Sequence, residues 1–220
     1  MSNKYFIVSD IHSFYTPLKN ALKRKKFDIN NPNHILVIAG DLFDRGNETI
    51  KLYEFLKTIP EDRLILIRGN HEDLYEDLLQ KFRPQWHDVS NGTVKTFCQI
   101  AGVKKKSISV SEWQDILSKV SKHEISAFIH GITRHVFEIG DYVICHSRPN
   151  DVWANPFVQD KIPGKTIIFG HWHTSDGENF IDGELKDGIF YADGLIGIDN
   201  GVQIRKGRLY HKQNVLVIEV

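Results

Sequence analysis

The chain of 220 residues is long enough for one large domain with a substantial core, and its 41% hydrophobic and 25% charged content is ordinary for a soluble globular protein. With 28 basic against 28 acidic residues the formal net charge is zero, which excludes an overall field drawing the protein onto nucleic acid or an anionic membrane and leaves only local patches. Two cysteines make no disulfide framework, no run approaches a membrane span and no amino-terminal apolar segment resembles a signal peptide, so the expectation is a cytoplasmic protein.

Tyr5-Phe6-Ile7-Val8 reads as a first strand ending in Ser9-Asp10-Ile11-His12. Tyr15 to Lys26 reads as a helix with Thr16 as its cap, Pro17 in its first turn and Leu18, Ala21 and Leu22 on one face. The Lys23-Arg24-Lys25-Lys26 run is its solvated carboxyl end, favoured by the helix dipole. His34 to Ala39 is a continuous apolar run, the pattern of a strand buried on both faces. It leads into Gly40-Asp41-Leu42-Phe43-Asp44-Arg45-Gly46, two carboxylates and an arginine in one turn. Alone, that turn is better explained by a surface salt bridge.

Glu48 to Lys57 fits a helix buried through Ile50, Leu52, Tyr53, Phe55 and Leu56. A third strand, Arg63 to Ile67, runs into Arg68-Gly69-Asn70-His71-Glu72-Asp73 and a helix carrying Leu74, Leu78 and Leu79. From about Arg83 to Gly140 apolar residues thin out, and the stretch reads as a mostly helical insertion over one edge of the sheet, within a single domain covering 1–220. Ser111 to Leu117 looks like a capped amphipathic helix there, Lys104-Lys105-Lys106 a solvated loop, and Trp86, Phe97 and Trp113 either core or a substrate groove. Strands return at Tyr142 to Cys145, ending at His146, and at Thr166 to Phe169, ending in Gly170-His171-Trp172-His173. Short apolar stretches at Ile189 to Tyr191, Leu195 to Asp199 and Val215 to Ile218 suggest antiparallel hairpins, so the chain reads as an α/β front with a β-rich back.

Five strand ends thus carry Asp10/His12, Asp41/Asp44, Asn70/His71, His146 and His171/His173. Ligands of open α/β sheets sit at the carboxyl ends of strands. Imidazoles, carboxylates and an amide suit a borderline metal such as manganese, iron or zinc, whereas calcium prefers oxygen alone. There are more donors than one ion needs, which points to two ions about 3.5–4 Å apart sharing a carboxylate.

The ordered set Asp-x-His, Gly-Asp-x-x-Asp-Arg-Gly, Gly-Asn-His-Glu, His and Gly-His resembles the calcineurin-like metallophosphoesterase superfamily. Within it, the resemblance is to the phosphoprotein phosphatase type, which includes bacterial and phage serine/threonine phosphatases and symmetrical diadenosine tetraphosphate hydrolases. It spans Tyr5 to Asp199 and implies an α/β fold, the four-layer α-β-β-α sandwich. It also implies two divalent ions, manganese first, with iron, zinc, cobalt, nickel or magnesium accepted by the same ligands. By position, Asp10 and His12 would hold the first ion, Asp41 would bridge, and Asn70, His146 and His171 would complete the second site. His71 matches the proton donor to the leaving alcohol, Asp44 its orienting carboxylate and Arg45 a phosphate-binding arginine. Cys145 has no part in this and reads as core.

Three positions depart from the pattern. Ser13 stands where the family usually has glycine, narrowing the backbone's approach to the metal. His173 is an extra histidine, either a ligand of the first ion or an exposed turn residue. The second phosphate-binding arginine has no counterpart in Asp151 to Asn155, with Arg148 a weak substitute. The implied activity is hydrolysis of a phosphomonoester by metal-activated water, on a phosphoprotein or a small phosphoester. The alternatives are a dinucleoside polyphosphate or a nucleic-acid end, the latter disfavoured by the zero net charge, and a non-catalytic scaffold.

Overall fold

The computed structural model describes residues 2–105, 108–205 and 208–220, with only the backbone of 204 and 205; Lys106 of the lysine run lies outside the described residues. The amino-terminal half alternates strand and helix: β1 (Lys4–Val8), α1 (Tyr15–Arg24), β2 (His34–Ala39), α2 (Thr49–Lys57), β3 (Leu64–Ile67) and α3 (Asn70–Leu79). Four helices follow, α4 (Trp86–Ser90), α5 (Thr93–Ala101), α6 (Val110–Ser121) and α7 (Glu124–His130). The remainder holds β4 (Val136–Ile139), β5 (Tyr142–Cys145), β6 (Thr166–Phe169), β7 (Gly183–Lys186), β8 (Ile189–Ala192), β9 (Leu195–Gly197), the small pair β10 (Ile204–Arg205) and β11 (Arg208–Leu209), and β12 (Leu216–Glu219).

These strands build a four-stranded sheet in the order β12-β1-β2-β3 and a six-stranded sheet in the order β4-β5-β6-β9-β8-β7. β1, β2 and β3 run parallel, as do β5, β6 and β9, so six strand ends open at carboxyl edges. Period-two alternation explains the layers. Phe6, Val8, Leu36 and Ile38 face a core shared with Leu18, Leu52, Tyr75, Phe97 and Trp113 of the helices. Ile7, Ile35, Val37 and Ile67 face Ile144, Ile168 and Ile198 in the seam between the sheets. The outer face of the second sheet, with Val143, Cys145 and Phe169, is closed by Phe157 of the 3-10 turn Pro156–Val158 and by Trp172. The order is helices, sheet, sheet and a thin outer layer of turns.

Several local expectations change. Thr16 does not cap α1; the N-cap is Phe14, and the Thr16 hydroxyl donates to Glu48 Oε1 at 2.7 Å. The helix stops at Arg24 because Lys26 adopts a left-handed φ of 62°. Ile50 is 36% exposed, since α2 buries the i, i+3, i+4, i+7 stripe of Thr49, Leu52, Tyr53 and Leu56. α6 is capped by Ser109, not Ser111, in a reciprocal box with Glu112. Phe97 and Trp113 are core, stacked at 5.7 Å between centroids, while Trp86 is 82% exposed. In the tail β8 and β9 form an antiparallel pair as expected and β7, which the apolar pattern did not mark, adds to β8, but β9 also runs parallel to β6, and β12 returns to the free edge of β1. No described helix is long and apolar enough to cross a membrane.

Candidate active site

The residues named at the five strand ends meet where the carboxyl edges of the two sheets adjoin. Seven of the nine described non-glycine residues with positive φ lie there: Asp10, His12, Ser13, Asp41, Asp44, Arg45 and His171. Side chains rarely adopt this backbone, and it concentrates where packing over-determines a functional geometry. Ser13, at φ 57°, is buried, and its hydroxyl pairs with that of Thr49 at 2.9 Å, so its side chain is spent away from the ligand cluster. A Cβ on Gly69 would collide with Asp41 Oδ1, and one on Gly170 with Asp10 Oδ2; only glycine lets these loops press on the two carboxylates.

Asp41 sits at the centre. Its Oδ2 lies 3.6 Å from His12 Nε2 and 3.8 Å from His71 Nε2, while Oδ1 lies 3.4 Å from His146 Nε2. Two donor groups, His12/Asp41/His71 and Asp41/His146/His171, therefore share this carboxylate. His12 Nδ1 donates to the Phe43 carbonyl and His146 Nδ1 to that of Ala39, each at 2.9 Å. A carbonyl only accepts, so each ring, when neutral, turns an Nε2 lone pair toward Asp41. His12 Nε2 is buried with no hydrogen-bond partner. His146 Nε2 lies 2.9 Å from Asn70 Oδ1, so that either the amide turns its nitrogen to the ring or a cation takes both lone pairs. His171 donates its backbone N–H to Asp10 Oδ2 at 3.0 Å, and its ring stands 5.0 Å from that of His146. Asp10 Oδ1 is 3.9 Å from His12 Nε2.

Charge also favours cations here. Burial and then Asp41 raise Asp10 to a pKa of about 7, and burial and then Asp10 raise Asp199 to about 7. Burial opposes a charged Asp41, but positive charge on the neighbouring histidines, His146 and then His71, lowers its pKa below the usual carboxylate range. Burial keeps His171 near 4 and His12 well below its ordinary value, leaving neutral imidazoles. Crowded carboxylates facing neutral imidazoles with unused lone pairs fit divalent ions well.

Beside this cluster, His71 Nδ1 contacts Asp44 Oδ2 at 2.7 Å. Burial disfavours the imidazolium, but Asp41 and Asp44 outweigh it and raise the pKa to about 9. Arg45 is exposed, with Nη2 3.3 Å from His71 Nε2. Arg45, His12, His173, Phe14 and Asp199 line a cavity of about 380 Å³. His173 faces Gly201 within it and belongs to neither donor group. Arg148 is engaged locally, its Nε donating to the Asn155 carbonyl at 2.9 Å.

Three kinds of residue support the site without standing out in the sequence. Glu72, the last residue of Gly-Asn-His-Glu, accepts the N–H groups of Asp41, Leu42 and Gly69. Thr93 and Thr96 reach Asp44 from α5 with no sequence signal beyond i, i+3 spacing. Asp199, 3% exposed, follows β9; reading β9 only as part of an antiparallel hairpin concealed a sixth strand end on the same edge.

The sequence profile of calcineurin-like phosphoesterases matches residues 4–181. The chain belongs to that family. A symmetrical bis(5'-nucleosyl)-tetraphosphatase of Buchnera aphidicola is 34% identical over 67 residues, 30% of this phosphoesterase chain and 23% of the relative. Shewanella-like protein phosphatase 1 of Plasmodium berghei is 37% identical over 84 residues, 33% and 23% of the two chains. An asymmetrical bis(5'-nucleosyl)-tetraphosphatase of Bacillus subtilis is 31% identical over 113 residues, 48% and 46%. The match thus spans less than half the length of each of these curated relatives. Among solved structures, a metallophosphoesterase from Sphaerobacter thermophilus aligns with a TM-score of 0.50 at 16% identity, covering 93% of this chain and 80% of that one. A cold-active protein tyrosine phosphatase aligns at 0.52 with 14% identity, covering 98% and 73%. At such identities these two speak for the shared fold of the phosphoesterase alone.

Proposed function

We propose that this phosphoesterase hydrolyses a phosphomonoester, phosphoserine or phosphothreonine included, with two divalent ions held on either side of Asp41. The observation that carries the reading is the divergence of the Asp41 oxygens onto two histidine sets, with the His71–Asp44 pair and Arg45 alongside. Asp10 and His12 would hold one ion, and Asn70, His146 and His171 the other, with Asp41 between; His173 is a further candidate for the first. When bound, the ions would supply a nucleophile from water at neutral pH and offset phosphoryl charge, with manganese the first metal to load.

The chain's own groups account for the rest. Arg45 grips phosphoryl oxygens with its fork. A guanidinium drawn onto the phosphate leaves His71 Nε2, so that atom can carry the proton that the leaving alcohol takes up. Asp44 orients the ring and stabilises its charge through Nδ1. Arg148 follows His146 by two residues but is held by the Asn155 carbonyl, and we assign it a secondary share in substrate binding. The helical stretch from about 83 to 140 is read as an insertion in one domain, a reading supported by the core that Phe97, Trp113 and Ile129 share with β1 and β2. Free Cys98 and Cys145 are consistent with a cytoplasmic setting.

A second reading, a dinucleoside polyphosphate as substrate, is favoured by the names of the Buchnera and Bacillus relatives. Manganese-loaded protein assayed on a phosphopeptide, an alkyl phosphate, diadenosine tetraphosphate and a phosphorylated oligonucleotide tests both. Turnover that chelator abolishes is expected, highest on a monoester. Preference for the tetraphosphate installs the second reading, and no turnover on any substrate overturns both.

A further inference from the structure

Helix α5 contacts every residue of the turn 44–46. Thr93 Oγ1 donates to Asp44 Oδ2 at 2.7 Å, sharing that oxygen with His71, and Thr96 Oγ1 donates to Asp44 Oδ1 at 2.7 Å. The Thr96 hydroxyl also accepts the Asp44 N–H at 2.9 Å, closing a ring through one side chain. Lys95 Nζ donates to the Arg45 carbonyl at 2.7 Å, and Gln99 Nε2 to the Gly46 carbonyl at 3.1 Å. Gly92, one residue ahead of the helix, has φ 92°, and a Cβ there would run into the Arg45 backbone nitrogen.

A helix that only filled space would present apolar side chains to this turn. α5 does so on its other face, through Phe97 and Ile100. Asp44 and Arg45 both adopt left-handed backbone, φ 73° and 55°, which persists only where neighbours over-determine it. Thr93 and Thr96, one helical turn apart, satisfy both oxygens of a carboxylate that is 1% exposed. Without Thr96 the Oδ1 atom loses its donor, and the carboxylate, pinned through Oδ2 alone by Thr93 and His71, can pivot and loosen its alignment with His71 Nδ1. Without Lys95 the Arg45 carbonyl loses its tether while Asp44 keeps all of its partners.

We propose that α5 is the template of the catalytic turn, with Thr93 and Thr96 positioning His71 through Asp44 and Lys95 positioning Arg45 for phosphate. This rests on the phosphoesterase reading above and extends it to residues that touch neither metal nor substrate.

The test compares Thr96→Val, Thr96→Ser and Lys95→Met by amide hydrogen exchange over residues 41–46, by affinity for inorganic phosphate, and by kcat and KM on 4-nitrophenyl phosphate and an alkyl phosphate. In Thr96→Val, exchange rises about tenfold with loss of the paired Asp44 amide. Its kcat falls about a hundredfold on the alkyl phosphate but less than about threefold on 4-nitrophenyl phosphate, whose leaving group needs no proton. Thr96→Ser restores wild-type behaviour. Lys95→Met raises KM and the phosphate Kd about tenfold with an unchanged ratio between the substrates. Equal slowing of both substrates by Thr96→Val, failure of serine to restore, or unchanged exchange overturns the proposal. Should Thr96→Val not fold, Thr93→Val against Thr93→Ser makes the same kinetic comparison, with the Asp44 amide still paired to Thr96 and its exchange unchanged. An inactive wild-type protein refutes the phosphoesterase reading instead, and hydrogen exchange still decides whether α5 sets the turn.

Discussion

Glu72 holds Asp41 by its backbone: the Glu72 carboxylate accepts the N–H of Asp41 at 3.0 Å and of Leu42 at 3.0 Å, while the N–H of Gly69 reaches it at 2.8 Å. One buried side chain on α3 thereby fixes the loop after β2 against the loop after β3. In Glu72→Gln one oxygen becomes a nitrogen donor facing an N–H. The expected cost is about 1–3 kcal/mol of stability for the unpaired buried groups. Metal affinity should fall about 10–100-fold, as for other residues that support ligands. Denaturant midpoints and metal titration measure the two effects.

Asp41→Asn and His71→Asn should separate binding from turnover. Asp41 faces both donor groups, so its replacement is expected to lower bound metal and activity together. His71→Asn is expected to keep metal and lose about 10²–10⁴-fold in kcat on poor leaving groups, the usual range for a general acid. Plasma mass spectrometry of the purified variants, set beside their kinetics, checks both. Normal turnover of either on an alkyl phosphate would refute its role.

Ser13 offers a test of backbone strain. Its left-handed φ costs roughly 1 kcal/mol relative to glycine, and its bond to Thr49 returns roughly as much. Ser13→Gly should therefore be near neutral. Ser13→Ala keeps the strain, loses the bond and is expected to be about 1–2 kcal/mol less stable. Equal destabilisation of both variants in urea unfolding would show that the hydroxyl, and not the backbone, decides the position.

Acid should weaken the cap of α6. A hydrogen bond from Lys105, and then bonds from Ser109, lower Glu112 from 4.5 to about 2. A depressed carboxylate stabilises the fold above its unfolded pKa and loses that contribution as pH falls through the folded one. The window is therefore from about pH 4.5 down to about 2. Thermal midpoints of Glu112→Gln should fall less steeply than wild type across that window and match its slope near pH 7.

The parts of this molecule legible in the sequence are those governed by local rules. His34 to Ala39 announced a doubly buried strand, and the polar groups after β1, β2, β3, β5 and β6 lie together because parallel strands end on one edge. Strand direction is not local. β9 carries an antiparallel hairpin on one side and a parallel neighbour on the other, so Asp199 was invisible as a strand-end residue until its partner β6 was known. The same holds for Thr93 and Thr96, whose value depends on a turn some 50 residues away, and for Trp86 and Trp113, equal as sequence signals but opposite in burial.

The His146 ring donates to the Ala39 carbonyl, 107 residues back, and the His171 N–H to Asp10, 161 residues back. Each bond joins one sheet to the other. Closing such long loops is slow compared with forming a helix or hairpin, so the donor cluster should be among the last features to assemble during folding. A chain with only one sheet formed would carry half a cluster and hold ions poorly. Divalent ions would then act as a latch on the docked sheets, adding stability by mass action to the finished fold alone.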